Sequence, residues 1–466
     1  MTARTVGTIF IHDLTALWRD GRLRIAFAVT LILLAVATVS GAYYQSALTS
    51  ERTAADEAER TRWLSQGAKN PHSAAHYGVY VFKPASPLTL FDRGIEPFVG
   101  VGVWLEAHKM NSFVYRPAQD ASTTARFGDL SAATLLQTIV PLLIILAGYA
   151  ALSGERERGT LRQLLISGSA LRYIGAGKLA AAVAAVVLAL LPAALLAGAA
   201  AAAGPTGIDG GRLGLLVLGY ARYLAGWAAL TLAVSARAGT ARTGLIALLG
   251  VWLFVCVLGP RAAADVAVRL HPVPTATAFA NALEADLDPA HSTERTAQVR
   301  ERILKEHGVA TTAELPFDFG GISLQESEEH GNEVFDKHFG ALFDTYERQN
   351  RWLQTAGIAV PQLAIRAVSQ SAAGTDYPHH RRFVTAAEDH RRMMQRMLNG
   401  DLAKQNREGM EYKASAELWS QIPHFAFMHA PLGTILRDSW TALAALVLWF
   451  AGTALFFGVS MRRIRP

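Results

Sequence analysis

The densest run of chemically capable side chains is Gly154 to Lys178, GERERGTLRQLLISGSALRYIGAGK. It closes on GAGK, which invites a reading as a phosphate cradle. That motif requires a glycine five residues before Gly177 and a hydroxyl residue after Lys178. Arg172 and Leu179 occupy those positions, so the run is not a phosphate loop and the chain is not expected to bind ATP. A second chemistry is helix capping. Thr160 and Gln163 have the spacing of a capping box, with each side chain satisfying a free backbone N–H. The helix so started would carry Leu161, Leu164 and Leu165 as an apolar edge and would end at Gly168 and Ser169. A stiff helix with an exposed leucine edge and the charged lead-in Glu155, Arg156, Glu157 suits docking in a groove on another protein. The competing reading is a solvated loop that only sets membrane orientation.

Other candidates are weaker. Of the 14 histidines, only His12 precedes the first apolar run, and pairs such as His379-His380 and His424/His429 stand in polar stretches. No H-E-x-x-H occurs and the single cysteine, Cys256, has no partner. Histidines of this kind are usually solvated or held in a core, and no metal site is assigned. Glu106 and His108 are close in sequence, which is weak grounds for acid–base chemistry. No Ser/His/Asp order, paired-carboxylate motif or G-x-S-x-G is present, so a membrane-embedded hydrolase is disfavoured. Arg222 lies about three turns into an apolar run. It either snorkels to the interface or serves as an inter-helix or pathway charge.

The elements that must position these groups follow from composition. Hydrophobic residues make up 51% of the 466 and charged residues 18%, and the charge deficit is concentrated in windows of about 20 residues, the length that spans a bilayer core. The expectation is an all-α polytopic membrane protein with six transmembrane helices, at 25–44, 130–153, 179–203, 213–235, 243–260 and 439–461. The fifth is short, so it is either extended by neighbouring residues or runs at an angle. Pro141 and Pro192 fall within spans, where neighbouring helices can satisfy the freed carbonyls. Residues 1–24 precede the first span, and Val6, Phe10, Leu14 and Leu17 share one face of a helix that would lie flat at the membrane surface. A frayed terminus is the alternative. A cleaved signal peptide is disfavoured, because the apolar run is long and no A-x-A site follows.

Two polar regions interrupt the spans. The first, 45–129, reads as a small mixed α+β domain, with a helix through Trp63 and a short strand near Val79 and Val81 stopped by Pro84 and Pro87. The second, 261–438, reads as a larger and mainly helical domain. Its helices are expected at Thr293–His307, Leu324–Gln354 and His379–Asn399, the second bearing the stripe Val334, Phe335, Phe339, Leu342, Phe343 and Tyr346. Gly204 to Arg212 is expected to be a tight turn.

Six spans place both termini on one side. The short segments on that side hold Arg19, Arg22 and Arg24; Arg156, Arg158, Arg162, Arg172 and Lys178; Arg237 and Arg242; and Arg462, Arg463 and Arg465. The single short loop on the other side holds only Arg212. The positive-inside rule then puts the termini, the loop 154–178 and the tail 462–466 in the cytosol of a bacterial inner-membrane protein, with both large polar regions extracytoplasmic. The net charge of +6 is likewise uneven: residues 261–437 hold 19 basic and 23 acidic side chains, leaving the excess beside the spans. This points to membrane orientation, with lipid as the partner of the basic residues, rather than to nucleic acid.

The run Glu155-Arg156-Glu157, Gly159-Thr160-Leu161, Leu164-Leu165 and Gly177-Lys178 resembles the loop between the second and third spans of ABC-2-type transporter permeases. In that family the loop contacts the nucleotide-binding ATPase subunit. The chain departs from the pattern at Ser167-Gly168-Ser169, where many members carry a proline. The strings Val79 to Asn111 and Ala372 to Phe383 resemble the subgroup with two outer insertions, related to permeases of gliding motility and of nitrous-oxide-reductase maturation. The resemblance implies a permease subunit that couples ATP hydrolysis to export of an unknown substrate. ATP and Mg would be bound by a cytosolic ABC ATPase partner. A second permease subunit, identical or related, would complete the pathway, and a periplasmic partner would meet the outer domains. A subunit that transmits mechanical work to an envelope partner without transport is the alternative.

Overall fold

The computed structural model describes residues 2–111, 131–166, 170–202, 209–406 and 412–464. Among the described residues six helices are long and apolar enough to cross a membrane, and the chain is a mainly helical membrane protein. The first helix, α1 (Thr2–Arg19), lays Val6, Phe10, Leu14 and Leu17 half-buried on its neighbours, the face expected from their spacing. After Asp20 the chain enters α2 (Gly21–Leu64), one unbroken helix of 44 residues. The predicted first span and the helix through Trp63 are therefore a single rod. The polar sequence after Tyr44 (SALTSERTAADEAERT) consists mostly of good helix formers and has neither Gly nor Pro to stop it.

The first polar region continues with α3 (Pro71–Tyr77), started by Asn70, whose side chain accepts from the His72 amide, and stopped at Gly78. Strand β1 (Val79–Phe82) then pairs antiparallel with β2 (Gly102–Leu105), in the register Val79↔Leu105 to Phe82↔Gly102. The one-turn α4 (Glu96–Val99) lies between the strands. This is the short strand expected before Pro84, with a partner that the sequence did not announce. The connecting segment presses on the rod: a Cβ at Gly41 would lie 2.1 Å from the Leu90 carbonyl oxygen. Only a glycine admits so close an approach of backbone to helix.

The second apolar element begins with a turn at Ala132–Thr134, widens into a π turn at Leu135–Ile139 and proceeds as α5 (Val140–Gly148). Pro141 has no N–H for the carbonyl of Gln137 four residues back, and the Tyr223 hydroxyl donates to that oxygen at 2.7 Å. Next come α6 (Ser153–Glu157), α7 (Thr160–Ile166), α8 (Leu171–Ala202), α9 (Gly210–Arg237) and α10 (Ala241–Leu253). A π turn at Phe254–Leu258 joins α10 to α11 (Gly259–Leu270). The helix that carries the predicted fifth span continues beyond it, from Ala241 to Leu270, because Pro260 stands at a first-turn position, where no N–H is needed. The third apolar helix also starts earlier than expected, at Leu171. The expected turn Gly204 to Arg212 and the helix end at Gly168 and Ser169 fall wholly or largely outside the described residues.

The second polar region is built from α12 (Ala276–Leu287), α13 (Ser292–His307), α14 (Phe319–Ala356), α15 (Pro361–Ala373), α16 (Tyr377–Gln405), α17 (Ala416–Gln421) and α18 (Leu432–Asp438), before the sixth apolar helix α19 (Trp440–Arg462). The three helices expected here are present. On the α14 stripe, Val334 and Phe335 are buried, Phe339 stacks edge-on against Phe279 of α12 and Tyr346 stays at the surface.

One helix of the second polar region packs among the apolar helices. α15 lies in the core of the apolar bundle: its Ala364, Ile365, Val368 and Ala372 are fully buried in one cluster with Tyr223 and Trp227 of α9 and Ala442, Ala445 and Leu446 of α19. Its 13 residues include Gln362, Arg366, Ser369, Gln370 and Ser371, so its composition does not read as a membrane helix. Small residues permit the packing, as is usual between helices in lipid, where apolar burial alone gives little drive. At Gly226 of α9 a Cβ would lie 2.1 Å from the Trp449 indole nitrogen of α19.

Candidate functional site

The run 153–178 folds into α6, α7 and the start of α8. Gly159, at φ 74°, ends α6 in the left-handed region and turns the chain into α7. Thr160 is therefore the first residue of its helix and not the cap. Its hydroxyl donates back to the Glu155 carbonyl at 3.2 Å, which replaces the predicted capping box with Gln163. The predicted exposed leucine edge is also corrected. Leu161 is fully buried among Leu152, Ile174, Ala236, Met461 and Ile464, with Leu164 and Leu165 packed against the same cluster. The apolar edge faces inward because the ends of α8, α9 and α19 converge there and offer it a socket.

The charged lead-in is divided between structure and surface. Lys178, buried on α8, donates to Glu155 at 2.6 Å and to Asp13 of α1 at 2.8 Å. Arg156 donates to the carbonyls of Ala236 and Ala238 at 2.7 Å each and so satisfies the end of α9. Glu155, Arg156, Leu161 and Lys178 thus tie the loop to three helices and to α1. Glu157, Arg158, Gly159, Arg162, Gln163 and Ile166 are left exposed, Ile166 at 77%. GAGK, already rejected as a phosphate loop, is ordinary helix: Gly177 lies within α8, and a Cβ there would lie 2.8 Å from Ile9.

Arg222 is exposed on α9, and its described hydrogen bond is to its own helix, at the Leu218 carbonyl (3.1 Å). It bridges no helices among the described residues. The buried arginine of α9 is Arg212. It donates to Ala372 at the end of α15 (3.2 Å) and to Ala430 (2.5 Å).

At the end of the bundle away from the loop lies a network that the sequence reading missed. Lys83 is 1% exposed and Glu96 4% exposed, and they pair at 2.6 Å; Arg52 of α2 stands 3.7 Å from the other Glu96 oxygen. Lys83 also donates to the Gly374 carbonyl. Burial pushes the Glu96 carboxyl up, but Lys83 and Arg52 outweigh it and hold it below the usual carboxylate range. Asp376 is likewise buried and held low, chiefly by its hydrogen bond from His379. Burial beside Lys83 and Arg212 pushes His429 down to about 4.

From this network a polar chain enters the bundle. Ser369 of α15 donates to Asp92 at 2.5 Å, Tyr220 of α9 donates to Ser369 at 3.2 Å, and Gln137 donates to Tyr220 at 2.9 Å. Beside it, a cavity of about 390 Å³ opens between α2, α8 and α9, lined by Leu34, Leu90, Leu136, Leu191 and Leu216. Nothing in the sequence marks Asp92 as a partner of α15 or Lys83 as a partner of the Gly374 turn that ends it. Only the lone basic residue of the short loop, Arg212, stood out by position.

No metal site is assigned from the sequence, yet the fold brings His72, His76 and His108 together, one ring nitrogen of each within 4.8 Å of the others. The signal available was the four-residue spacing of His72 and His76, which puts both on one face of a helix. Glu106 does not join His108 in an acid–base pair: it accepts from Asn111, and the His108 ring faces Glu328.

In a comparison with known families, residues 277–428 fit a family described as a domain of unknown function, DUF3526. The match runs from α12 to just before α18 and includes Glu328, α15 and the Asp376–His379 pair. No curated protein matches the chain.

Proposed function

We propose that the chain is the membrane-spanning subunit of an ABC-2-type transporter, driven by an ATPase on a separate chain. The observation that carries this reading is the build of the segment 153–178. Leu161, Arg156 and the Asp13–Lys178–Glu155 triad clamp it to α1, α8, α9 and α19, while Glu157, Arg158, Arg162, Gln163 and Ile166 stay outside. A push on that outer face is delivered to several apolar helices at once, as a rigid-body device requires. The basic residues flanking the loop favour a cytosolic placement by the positive-inside rule, with the large polar regions outside. ATP and Mg belong to the partner, and a second copy or a related chain completes the pathway. The apolar cavity beside α2, α8 and α9 suits a cargo with a hydrocarbon portion.

The second reading, mechanical work on an envelope partner without transport, is supported by a different observation. The hydrogen-bonded chain Gln137–Tyr220–Ser369–Asp92 links the bundle to the polar regions without a gap.

Affinity purification of the full-length chain tests the shared premise: an ABC ATPase is expected to come down with it. An abundant, folded chain that never brings one down refutes both readings. Reconstitution with that ATPase in vesicles separates them. ATP-dependent movement of a labelled lipid or amphiphile supports transport, and ATP turnover without it supports the mechanical role.

A further inference from the structure

We propose that His72, His76 and His108 bind a divalent transition metal of the zinc class. The site goes beyond the transporter reading, and its readout needs no ATPase.

The short helix α3 carries two of the ligands. Its buried face is Pro71, Ala74 and Ala75, which fixes its rotation, and His72 and His76 stand one turn apart on another face. Their Nε2 atoms are 3.2 Å apart. Two imidazole nitrogens on one tetrahedral ion, each about 2.0–2.1 Å from it, lie about 3.3 Å from one another. The pair therefore already has the separation that a shared metal imposes.

The third ligand arrives from a turn held in a costly conformation. His108 has φ 66°, in the left-handed region that a residue with a side chain seldom adopts. The Glu106–Lys109 bridge closes this turn. Glu328 of α14, 3% exposed, holds it from the other side. It accepts from the His108 amide at 3.3 Å, and its second oxygen lies 2.5 Å from His108 Nδ1. With Nδ1 turned to a carboxylate, Nε2 is the nitrogen left with a free lone pair. A carboxylate behind a ligating imidazole is the usual way that a metal-binding histidine is oriented and made more basic. Arg391, 3.8 Å from Glu328 and bonded to Glu388, sets a guanidinium behind that carboxylate.

Three imidazoles and no directly coordinating oxygen select zinc, copper or nickel ions over magnesium and calcium. His76 and His108 are exposed, so the fourth coordination position opens to solvent and admits water or a group from another molecule. A bound ion would join α3 to the turn at His108, which Glu328 already ties to α14.

The test uses the full-length chain in detergent, purified without a polyhistidine tag and stripped with a chelator. Zinc is titrated against a chromophoric chelator, and metal content is measured after dialysis. One zinc per chain is expected, unaffected by excess magnesium. His76→Gln removes an exposed ligand without disturbing the core and should weaken binding by at least about 10-fold. Glu328→Gln should weaken it by about 10- to 100-fold while leaving all three ligands in place. His291→Gln, at an exposed histidine elsewhere, should change nothing. Cobalt substitution should give the intense visible bands of a four-coordinate ion. Equal zinc affinity in the wild type and His76→Gln, or displacement of zinc by magnesium, would overturn the proposal.

Discussion

At the loop end of the bundle, an apolar plug does most of the holding: Leu161 sits among Leu152, Ile174, Ala236 and Met461, with one ion triad beside it. At the opposite end, ionised side chains occupy the interior, with Lys83, Glu96, Arg52, Arg212 and Asp376 all less than 9% exposed. The two solutions respond differently to change. A plug loses stability gradually as methylenes are removed, because neighbours relax into part of the space. A buried charge network fails abruptly when one partner is lost, because the remaining charge has no water to fall back on. The apolar plug should therefore tolerate substitution by degrees, whereas the buried network at the opposite end should not.

The largest effect expected from breaking this contrast is at Glu96. Glu96→Ala leaves Lys83 and Arg52 buried without a carboxylate and should cost about 3–5 kcal/mol, read by denaturant or thermal unfolding in detergent. Adding Lys83→Met to Glu96→Leu should recover part of the loss; a strictly additive double variant would show that the pair is not coupled. Next comes the plug. Leu161→Ala should cost about 3 kcal/mol and Leu161→Met less than about 1.5 kcal/mol, a graded series that the ion network should not give.

A smaller effect is expected from pH. Burial pushes His390 and His429 down to about 4 in the folded chain, against 6.5 when unperturbed. A base with a depressed pKa stays neutral in the folded state but takes up a proton on unfolding. Stability should therefore be fully present above about 6.5 and decline as pH falls from there toward 4. His390→Gln should flatten part of that decline in a melting-temperature series, and an unchanged slope would remove His390 from the account. The smallest stability effect belongs to the exposed loop face. Arg158→Glu and Ile166→Ser should stay within about 0.5 kcal/mol of the parent, yet abolish ATPase capture in pull-downs. Capture at the parental level would show that the partner does not use this face.

The six apolar runs were legible because their length and lack of charge are read directly from composition. Boundaries were less so. Nothing at Tyr44 says that a membrane helix ends, and α2 continues for another turn after turn until Leu64. α15 was hidden by its own polarity. Ser369 is buried because Asp92 accepts its hydroxyl, a contact 277 residues distant in sequence. The two arginines of α9 show the same limit. Depth in the run pointed to Arg222, but the side of the helix decides burial, and Arg212 is the one that faces α15. In the loop, spacing gave the helix and its leucine edge correctly but gave no means of knowing that Met461 and Ile464, at the far end of the chain, cover that edge. His72 and His76 were readable as a pair, while His108 and Glu328 come from other turns of the fold.

The unbroken course of α2 has a mechanical consequence. A helix of 44 residues is about 66 Å long. It starts beside α1, passes through the bundle and ends where Trp63 donates to the Trp419 carbonyl. No proline interrupts it, and its single interior glycine, Gly41, is pinned against Leu90. Such a rod has no joint at which to absorb rotation. A tilt of about 5° at its base sweeps its tip through about 6 Å, roughly one helical turn. Small adjustments within the bilayer would thus emerge, magnified, as displacements of the polar region that Trp63 anchors.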